Sequence, residues 1–279
     1  SKEVADALKD EADWFAVNAV EEGIELREAG VELPILVFGV PDTETAGLYA
    51  RYNLTATVSS MEHFSFLPAG TEYQLNFDTG MGRLGFAFDQ YEQVIENMVN
   101  HSELMCTGIY SHFATSDEPE SPKVKEQYRR FLTIREAFPD RLLTHLSNTG
   151  AVLFFRDKLF DMIRSGIGIY GYAPGDNTVD GIKPALEWQS YLTQVKTIRQ
   201  GETVSYGARW EAPRDGYIGV IPVGYEDGLK RVLSGNISFE IEGNSYPQVG
   251  TITMNYCMVF LDQDPLETGV KVTLINSEK

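Results

Sequence analysis

The sequence predicts an α/β protein: a (β/α)8 TIM barrel whose first strand is absent from this chain, followed by a C-terminal antiparallel β domain. Over the first 175 residues, short apolar runs alternate with helix-patterned segments. Strands that alternate with helices imply parallel βαβ units. The chain opens on a helix, and seven strand-like runs follow it. A barrel of eight units minus its first strand fits that count. Beyond Gly175 the pattern becomes strand-like runs punctuated by glycine and proline, which reads as an antiparallel β domain.

Taken in order, residues 1–9 read as an amphipathic helix and not as a signal peptide. The barrel strands are expected at 14–17, 35–40, 54–59, 73–78, 105–112, 142–147 and 162–170, with helices at 21–28, 44–51, 89–97 and 123–137. One crossover is tight: between Ser59 and Glu72 there is room for little beyond residues 61–67 before Pro68 interrupts. A parallel crossover normally needs a dozen or more residues, so this unit is either very short or lacks residues. The second domain is expected to use runs 188–199, 217–223, 237–241, 248–253, 257–261 and 270–275. The domains are assigned as 1–178, a barrel incomplete at its N-terminus, and 179–279, a β domain incomplete at its C-terminus.

The formal charge is −18, from 41 acidic against 23 basic residues. Such a surface repels nucleic acid and anionic membranes. No apolar run reaches the ~18 residues of a membrane span. Two cysteines, Cys106 and Cys257, lie inside apolar strand-like runs, which suits buried thiols in a reducing, cytoplasmic setting. No zinc-type Cys/His spacing is present, and no metal site is expected.

The chemistry-bearing signals of the first half fall at the ends of expected barrel strands, where barrel enzymes place their sites. Arg164 closes an apolar run and is followed at once by Gly166 and Gly168. A buried arginine is rare unless paired, and glycines let backbone N–H groups approach an anion. Arg164 beside a Gly166–Ile167 nest therefore suggests an anionic, planar cofactor. Asn148-Thr149-Gly150 are small polar groups before a helix start, suited to a phosphate. They and Gly166–Ile167 follow the seventh and eighth strands of the assumed barrel, the usual phosphate position of this fold. The glycine-rich stretch from Asp78 to Gly85 presents Arg83, able to pair bidentately with a carboxylate. His112 stands at a strand mouth. In the second half, Tyr206 and Tyr225 sit beside glycines, where a phenol can be exposed.

The ordered motifs DTGMGRLG, SHFATSD, SNTGAV, IRSGIGIYG, VSYGARW, PVGYEDG and GTITMNYCMV resemble the alanine racemase family over the whole chain. The resemblance implies a pyridoxal 5'-phosphate-dependent isomerase that interconverts L- and D-alanine by a two-base mechanism, in D-alanine biosynthesis. It implies a homodimer with a shared active site. By resemblance Arg164 faces the pyridine nitrogen, His112 lies against the ring, and Asn148, Thr149, Gly166 and Ile167 belong to the cofactor site. Tyr206 is the catalytic base on one face, and Arg83, Met254 and Tyr225 meet the substrate or its entrance. A serine or broad-specificity racemase, and a catalytically inactive cofactor-binding homologue, are the alternatives.

Three departures go with the resemblance. The family's Schiff-base lysine and its neighbouring tyrosine belong one strand upstream of Ser1, and a further active-site tyrosine belongs beyond Lys279. The chain is accordingly expected to be part of a longer enzyme. Asn76 stands where many members carry a lysine, often carbamylated, so an anion such as chloride is expected to orient Arg83. Asn255 stands where aspartate is common.

Overall fold

The computed structural model describes residues 2–175, 177 and 179–276. Ser1, Asp176, Thr178 and residues 277–279 lie outside it, and with them part of the turn expected between the domains. The chain divides into two compact units, Ser1–Asp180 and Gly181–Lys279.

The first unit runs α1 (Lys2–Leu8), β1 (Phe15–Val17), α2 (Val20–Glu28), β2 (Ile35–Val37), α3 (Ala46–Arg51), β3 (Ala56–Val58), α4 (His63–Phe66), β4 (Glu72–Asp78), β5 (Phe86–Ala87), α5 (Tyr91–Asn100), β6 (Met105–Tyr110), α6 (Pro122–Ala137), β7 (Leu143–His145) and α7 (Thr149–Phe154). The strands pair in parallel as β1–β2, β3–β4, β4–β6 and β6–β7. A parallel bridge between Leu36 and Thr55 carries the order from β2 to β3. Neighbours in chain order are what successive βα units of a barrel produce. Every residue of β2 and β3 is buried, as expected for parallel strands covered on both faces.

Polar side chains from four strands meet one another while wholly buried. Thr57 Oγ1 lies 2.9 Å from the Tyr110 hydroxyl, and His145 Nε2 lies 2.7 Å from Gln74 Oε1. Tyr110 stacks on His145 at 4.9 Å with rings 10° apart. Buried polar groups are tolerated when paired, so this cluster marks the part of the barrel that differs from its apolar core.

The tight β3–β4 crossover is a very short unit, the single turn α4. One aromatic does the work of a longer apolar face: Phe64 is buried, packs edge-on against Tyr73 at 5.6 Å and stacks on His101 at 5.4 Å. Burying such a side chain is worth about 1.5–3 kcal/mol, enough to hold one turn in place.

The expected strand at 162–170 is not a strand. Only Arg164 pairs, in a parallel bridge with Asn148, and Ile167–Tyr170 is a 3-10 turn. The cause is Thr149, whose hydroxyl accepts from the N–H groups of Gly166 (3.1 Å) and Gly168 (3.4 Å). A side chain that captures successive backbone donors competes with a ladder for them.

The second unit contains β8 (Trp188–Tyr191), β9 (Gln194–Ile198), β10 (Thr203–Val204), β11 (Trp210–Glu211), β12 (Gly216–Ile221), β13 (Ser238–Ile241), β14 (Asn244–Val249), β15 (Cys257–Asp262) and β16 (Lys271–Ile275). Seven strands form an antiparallel sheet ordered β8-β16-β13-β14-β15-β12-β9. The single run expected at 188–199 is two strands at opposite ends of this order, so the sheet curls upon itself. Leu192, at the corner between them, is fully buried with Ile221, Ile241, Val259 and Leu261. The run expected at 248–253 instead ends at Val249. It stops there because Gly250 turns with a positive φ of 67°. The small hairpin β10–β11 follows no apolar pattern and was not expected.

Candidate active site

Asp78, Tyr110 and His145 end β4, β6 and β7, so the residues that follow them gather at one end of the barrel. Arg164 is partly buried there and heavily bonded. Its Nη1 lies 2.5 Å from His145 Nδ1. Its Nη2 donates to the carbonyls of Ser111 (2.7 Å) and Leu146 (3.3 Å), and lies 3.3 Å from His112 Nδ1. The guanidinium also lies over the Tyr110 ring at 5.4 Å. Guanidinium is a donor only. His145 Nδ1 must therefore accept, which places its proton on Nε2, where it donates to Gln74 Oε1. Among the described residues Gln74 Nε2 is left without a partner.

Charge follows from this geometry. Burial lowers the Arg164 pKa to about 10, which leaves it cationic at neutral pH. Burial first, then the charge of Arg164, holds His145 well below the ordinary histidine range. His112 falls to about 4 through burial, then Arg164 and Arg83. The site is thus one charged donor flanked by two neutral imidazoles. Both His112 nitrogens face donors, Arg164 Nη2 and, at 3.4 Å, Asn148 Nδ2. A neutral imidazole accepts at one nitrogen only. The charged donor takes that lone pair, and Asn148 Nδ2 has the Phe113 carbonyl at 3.4 Å instead.

Arg83 reaches the same end of the barrel on the loop after β4. The Asp78 carboxylate accepts from the N–H groups of Gly80, Met81 and Gly82 at 2.8 Å each, winding the loop around itself. Asn76 anchors its far side by donating to the Leu84 carbonyl (3.2 Å) and Ser59 Oγ (3.4 Å). Arg83 is exposed, yet its charge acts on His112, Arg164 and Tyr110.

Asn148 is the N-cap of α7: its Oδ1 accepts from Ala151 N–H (3.1 Å) and from Ser116 Oγ (2.5 Å). Thr149, Gly166 and Ile167 are brought together beside it by the Thr149 hydroxyl. His112, Asn148, Thr149, Arg164, Gly166, Ile167 and Arg83 thus converge, as the sequence suggested. His145, Tyr110 and Gln74 belong to the same cluster and were missed. The available signal was a histidine inside the apolar run 142–147, three residues before the Asn148 cap.

In the second unit, Tyr206, Tyr225 and Met254 share one loop cluster and are exposed. Ser205 and Ala208 hold positive φ values of 67° and 46°. Ser205 Oγ donates to the Thr251 carbonyl (2.6 Å), and Thr251 Oγ1 to the Tyr206 carbonyl (2.9 Å). The N–H groups of Tyr225 and Glu226 donate to the carbonyls of Thr253 and Met254 at 3.0 Å. Gly224 is required at this seam: a Cβ there would stand 2.1 Å from the Met254 carbonyl oxygen. Asn255 donates to Glu226 at 2.5 Å.

Among the described residues no His/Cys/Asp/Glu group could hold a metal, and no helix is long and apolar enough to cross a membrane. Cys257 is buried and Cys106 partly exposed; burial raises both thiols to about 12, so neither is poised as a nucleophile.

A barrel with a cation, neutral imidazoles and a helix start at its strand ends, followed by a β unit with exposed phenols, defines an enzyme of the barrel class. Residues 1–174 match the family model "Alanine racemase, N-terminal domain", and residues 185–279 match "Alanine racemase, C-terminal domain". The alanine racemase of Geobacillus stearothermophilus is 38% identical over 288 residues, covering 98% of this chain and 73% of that protein. The solved alanine racemase from E. faecalis superposes with a TM-score of 0.89 at 33% identity, covering 95% of this chain and 74% of that one. A histidine racemase from Leuconostoc mesenteroides subsp. sake gives a TM-score of 0.91 at 29% identity, covering 99% and 77%. The chain belongs to the alanine racemase family, and its enzyme class is isomerase.

Proposed function

We propose that this chain carries the active-site residues of a pyridoxal 5'-phosphate-dependent racemase acting on alanine. The carrying observation is the cationic Arg164 held between two neutral histidines beside the Thr149, Gly166 and Ile167 turn. These residues fit the cofactor: Arg164 Nε makes no hydrogen bond among the described residues, and the start of α7 beside the Thr149 hydroxyl suits a phosphate. Thr149, Gly166 and Ile167 would hold the phosphate, His112 would lie against the ring, and Arg164 would face the ring nitrogen. When bound, pyridoxal phosphate supplies an electron-withdrawing ring that stabilises negative charge at the substrate Cα.

Arg164 stays a donor at neutral pH, so it would hold a ring nitrogen facing it as an unprotonated acceptor, which would restrain electron withdrawal and favour return of the proton over other outcomes. Arg83 binds the substrate carboxylate through its guanidinium. Tyr206 moves the Cα proton on one face through its phenolic oxygen. Met254 and Tyr225 line the approach. The exposed Tyr206 and Met254 are read as serving the site of a second copy in a cytoplasmic homodimer.

The test is the optical rotation of L-alanine incubated with the purified full-length protein and pyridoxal phosphate. Rotation should decay to zero, and D-alanine should converge on the same end point. Pyridoxal phosphate binding without decay for alanine, but with decay for serine or histidine, would move the substrate assignment. No decay with any of the three would leave a cofactor-binding protein.

A further inference from the structure

Helix α6 presents Val124, Gln127, Phe131 and Ile134 as its buried residues. They follow helical spacing, so one apolar stripe faces the barrel with a glutamine set in it. Gln127 is only 2% exposed. A polar side chain in such a stripe opposes folding unless every group is bonded, and here every group is. Its Oε1 accepts from Ala114 N–H at 2.9 Å. Its Nε2 donates to the His112 carbonyl at 2.9 Å and to Thr79 Oγ1 at 3.4 Å.

Those three partners lie on the two loops that carry the candidate site. Ala114 and the His112 carbonyl bracket His112, after β6. Thr79 opens the loop after β4 that presents Arg83. The loops are stitched a second time, by Thr79 Oγ1 and Ser111 Oγ at 2.8 Å. The carbonyl of Ser111, one peptide before His112, is an acceptor for Arg164. One turn further along α6, Arg130 Nη1 donates to the Thr79 carbonyl at 3.0 Å. Arg130 thus touches the Arg83 loop alone, whereas Gln127 touches both.

We propose that Gln127 is a positioning residue that fixes the His112 backbone and the Arg83 loop to each other, so that one buried amide sets the spacing between the cofactor-facing and carboxylate-facing halves of the site. The assignment rests on the proposed racemase reading. It makes the cofactor and substrate subsites mechanically dependent: a change at Gln127 must appear in both, and a change at Arg130, which of the two loops touches only that of Arg83, must appear mainly in the substrate subsite.

The test compares Gln127→Met, Gln127→Glu and Arg130→Met in the full-length enzyme. The readouts are pyridoxal phosphate affinity by absorbance titration, alanine KM and kcat, and hydrogen exchange of the Ala114 amide. Gln127→Met keeps length and apolarity but none of the hydrogen bonds. It should raise both the pyridoxal phosphate Kd and the alanine KM by about tenfold, the scale of losing bonds to buried groups, and should expose the Ala114 amide to exchange. Arg130→Met, which loses only the bond to the Thr79 carbonyl among the two loops, should raise KM by about threefold, leaving Kd and Ala114 exchange at parent values. Gln127→Glu keeps the Ala114 acceptor, so its amide stays protected. It should lose Kd and KM when ionised and regain them at lower pH, where a protonated carboxyl donates to the His112 carbonyl.

Parent-like Kd and KM in a folded Gln127→Met protein would overturn the assignment. So would Arg130→Met raising Kd as much as Gln127→Met does. Should Gln127→Met not fold, Gln127→Glu decides: absence of recovery at lower pH overturns it. A parent protein that neither binds pyridoxal phosphate nor racemises alanine would instead contradict the racemase reading itself.

Discussion

In the barrel unit, Arg164 is partly buried, donates to two carbonyls and contacts two imidazoles. In the β unit, Tyr206 is 70% exposed and stands on a loop with positive φ at Ser205, Gly207 and Ala208. The first arrangement fixes side chains by burial and electrostatics. The second fixes backbone and leaves the side chain free to meet something else. All four histidines lie in the barrel unit and none in the β unit. Perturbing pH or charge should therefore act on the barrel residues, and perturbing backbone geometry on the β-unit residues.

The largest effect is expected from Arg164→Met. Removing one preorganised donor typically lowers turnover by roughly 10²–10³-fold. The carbonyls of Ser111 and Leu146 also lose a partner, at roughly 1–3 kcal/mol for each group left unsatisfied. Racemisation and thermal unfolding should both report it. Nitrogen NMR of His145 should show the proton no longer confined to Nε2. An unchanged His145 spectrum would break the account of the cluster.

Acid comes next. The pKa values of His112 and His145 in the folded protein lie below their unfolded values. Between about pH 6.5 and about 4 the unfolded chain therefore binds protons that the folded chain does not, and stability falls as pH falls. His112 alone contributes a slope of roughly 1.4 kcal/mol per pH unit in that window. Unfolding temperatures measured across it should fall less steeply for His112→Asn. Signals from the β unit that lose stability with the same slope would contradict its confinement to the barrel.

Gly224→Ala should strike the β unit only. Its Cβ would meet the Met254 backbone, and forced overpacking costs about 1–3 kcal/mol. Denaturant titration should show that loss, with His112 and His145 resonances unmoved. The smallest effect is Ala208→Gly, which relieves a positive φ of 46°. It should stabilise by no more than about 1 kcal/mol while slowing turnover, because Tyr206 loses its fixed base. Faster turnover would show that the strain serves no positioning role.

Much of this was legible from sequence because barrel strands end in short polar motifs. Arg164, His112, Thr149 and the Asp78–Arg83 loop stood out as charged or glycine-rich breaks in apolar runs. His145 did not, because a histidine whose partners come from β4 and from beyond α7 has no local signature. Nothing in the sequence marks Gln127 within the helix expected at 123–137; only its burial with Val124, Phe131 and Ile134 does. The stretch 162–170 misled for the opposite reason. Its aliphatic residues fit a strand, but the Thr149 hydroxyl, well upstream, takes the donors that a ladder needs.

The most direct measurement is incorporation of deuterium at Cα from D2O into L-alanine and D-alanine, with pyridoxal phosphate, by the full-length parent enzyme and its Tyr206→Phe variant. The parent should label both enantiomers. The resemblance gives the phenol the L face and the upstream Schiff-base lysine the D face, so Tyr206→Phe should slow labelling of L-alanine by roughly 10²–10⁴-fold, the worth of a general base, and spare D-alanine. Labelling of both enantiomers at the parent rate would show that Tyr206 moves no proton and would contradict the account.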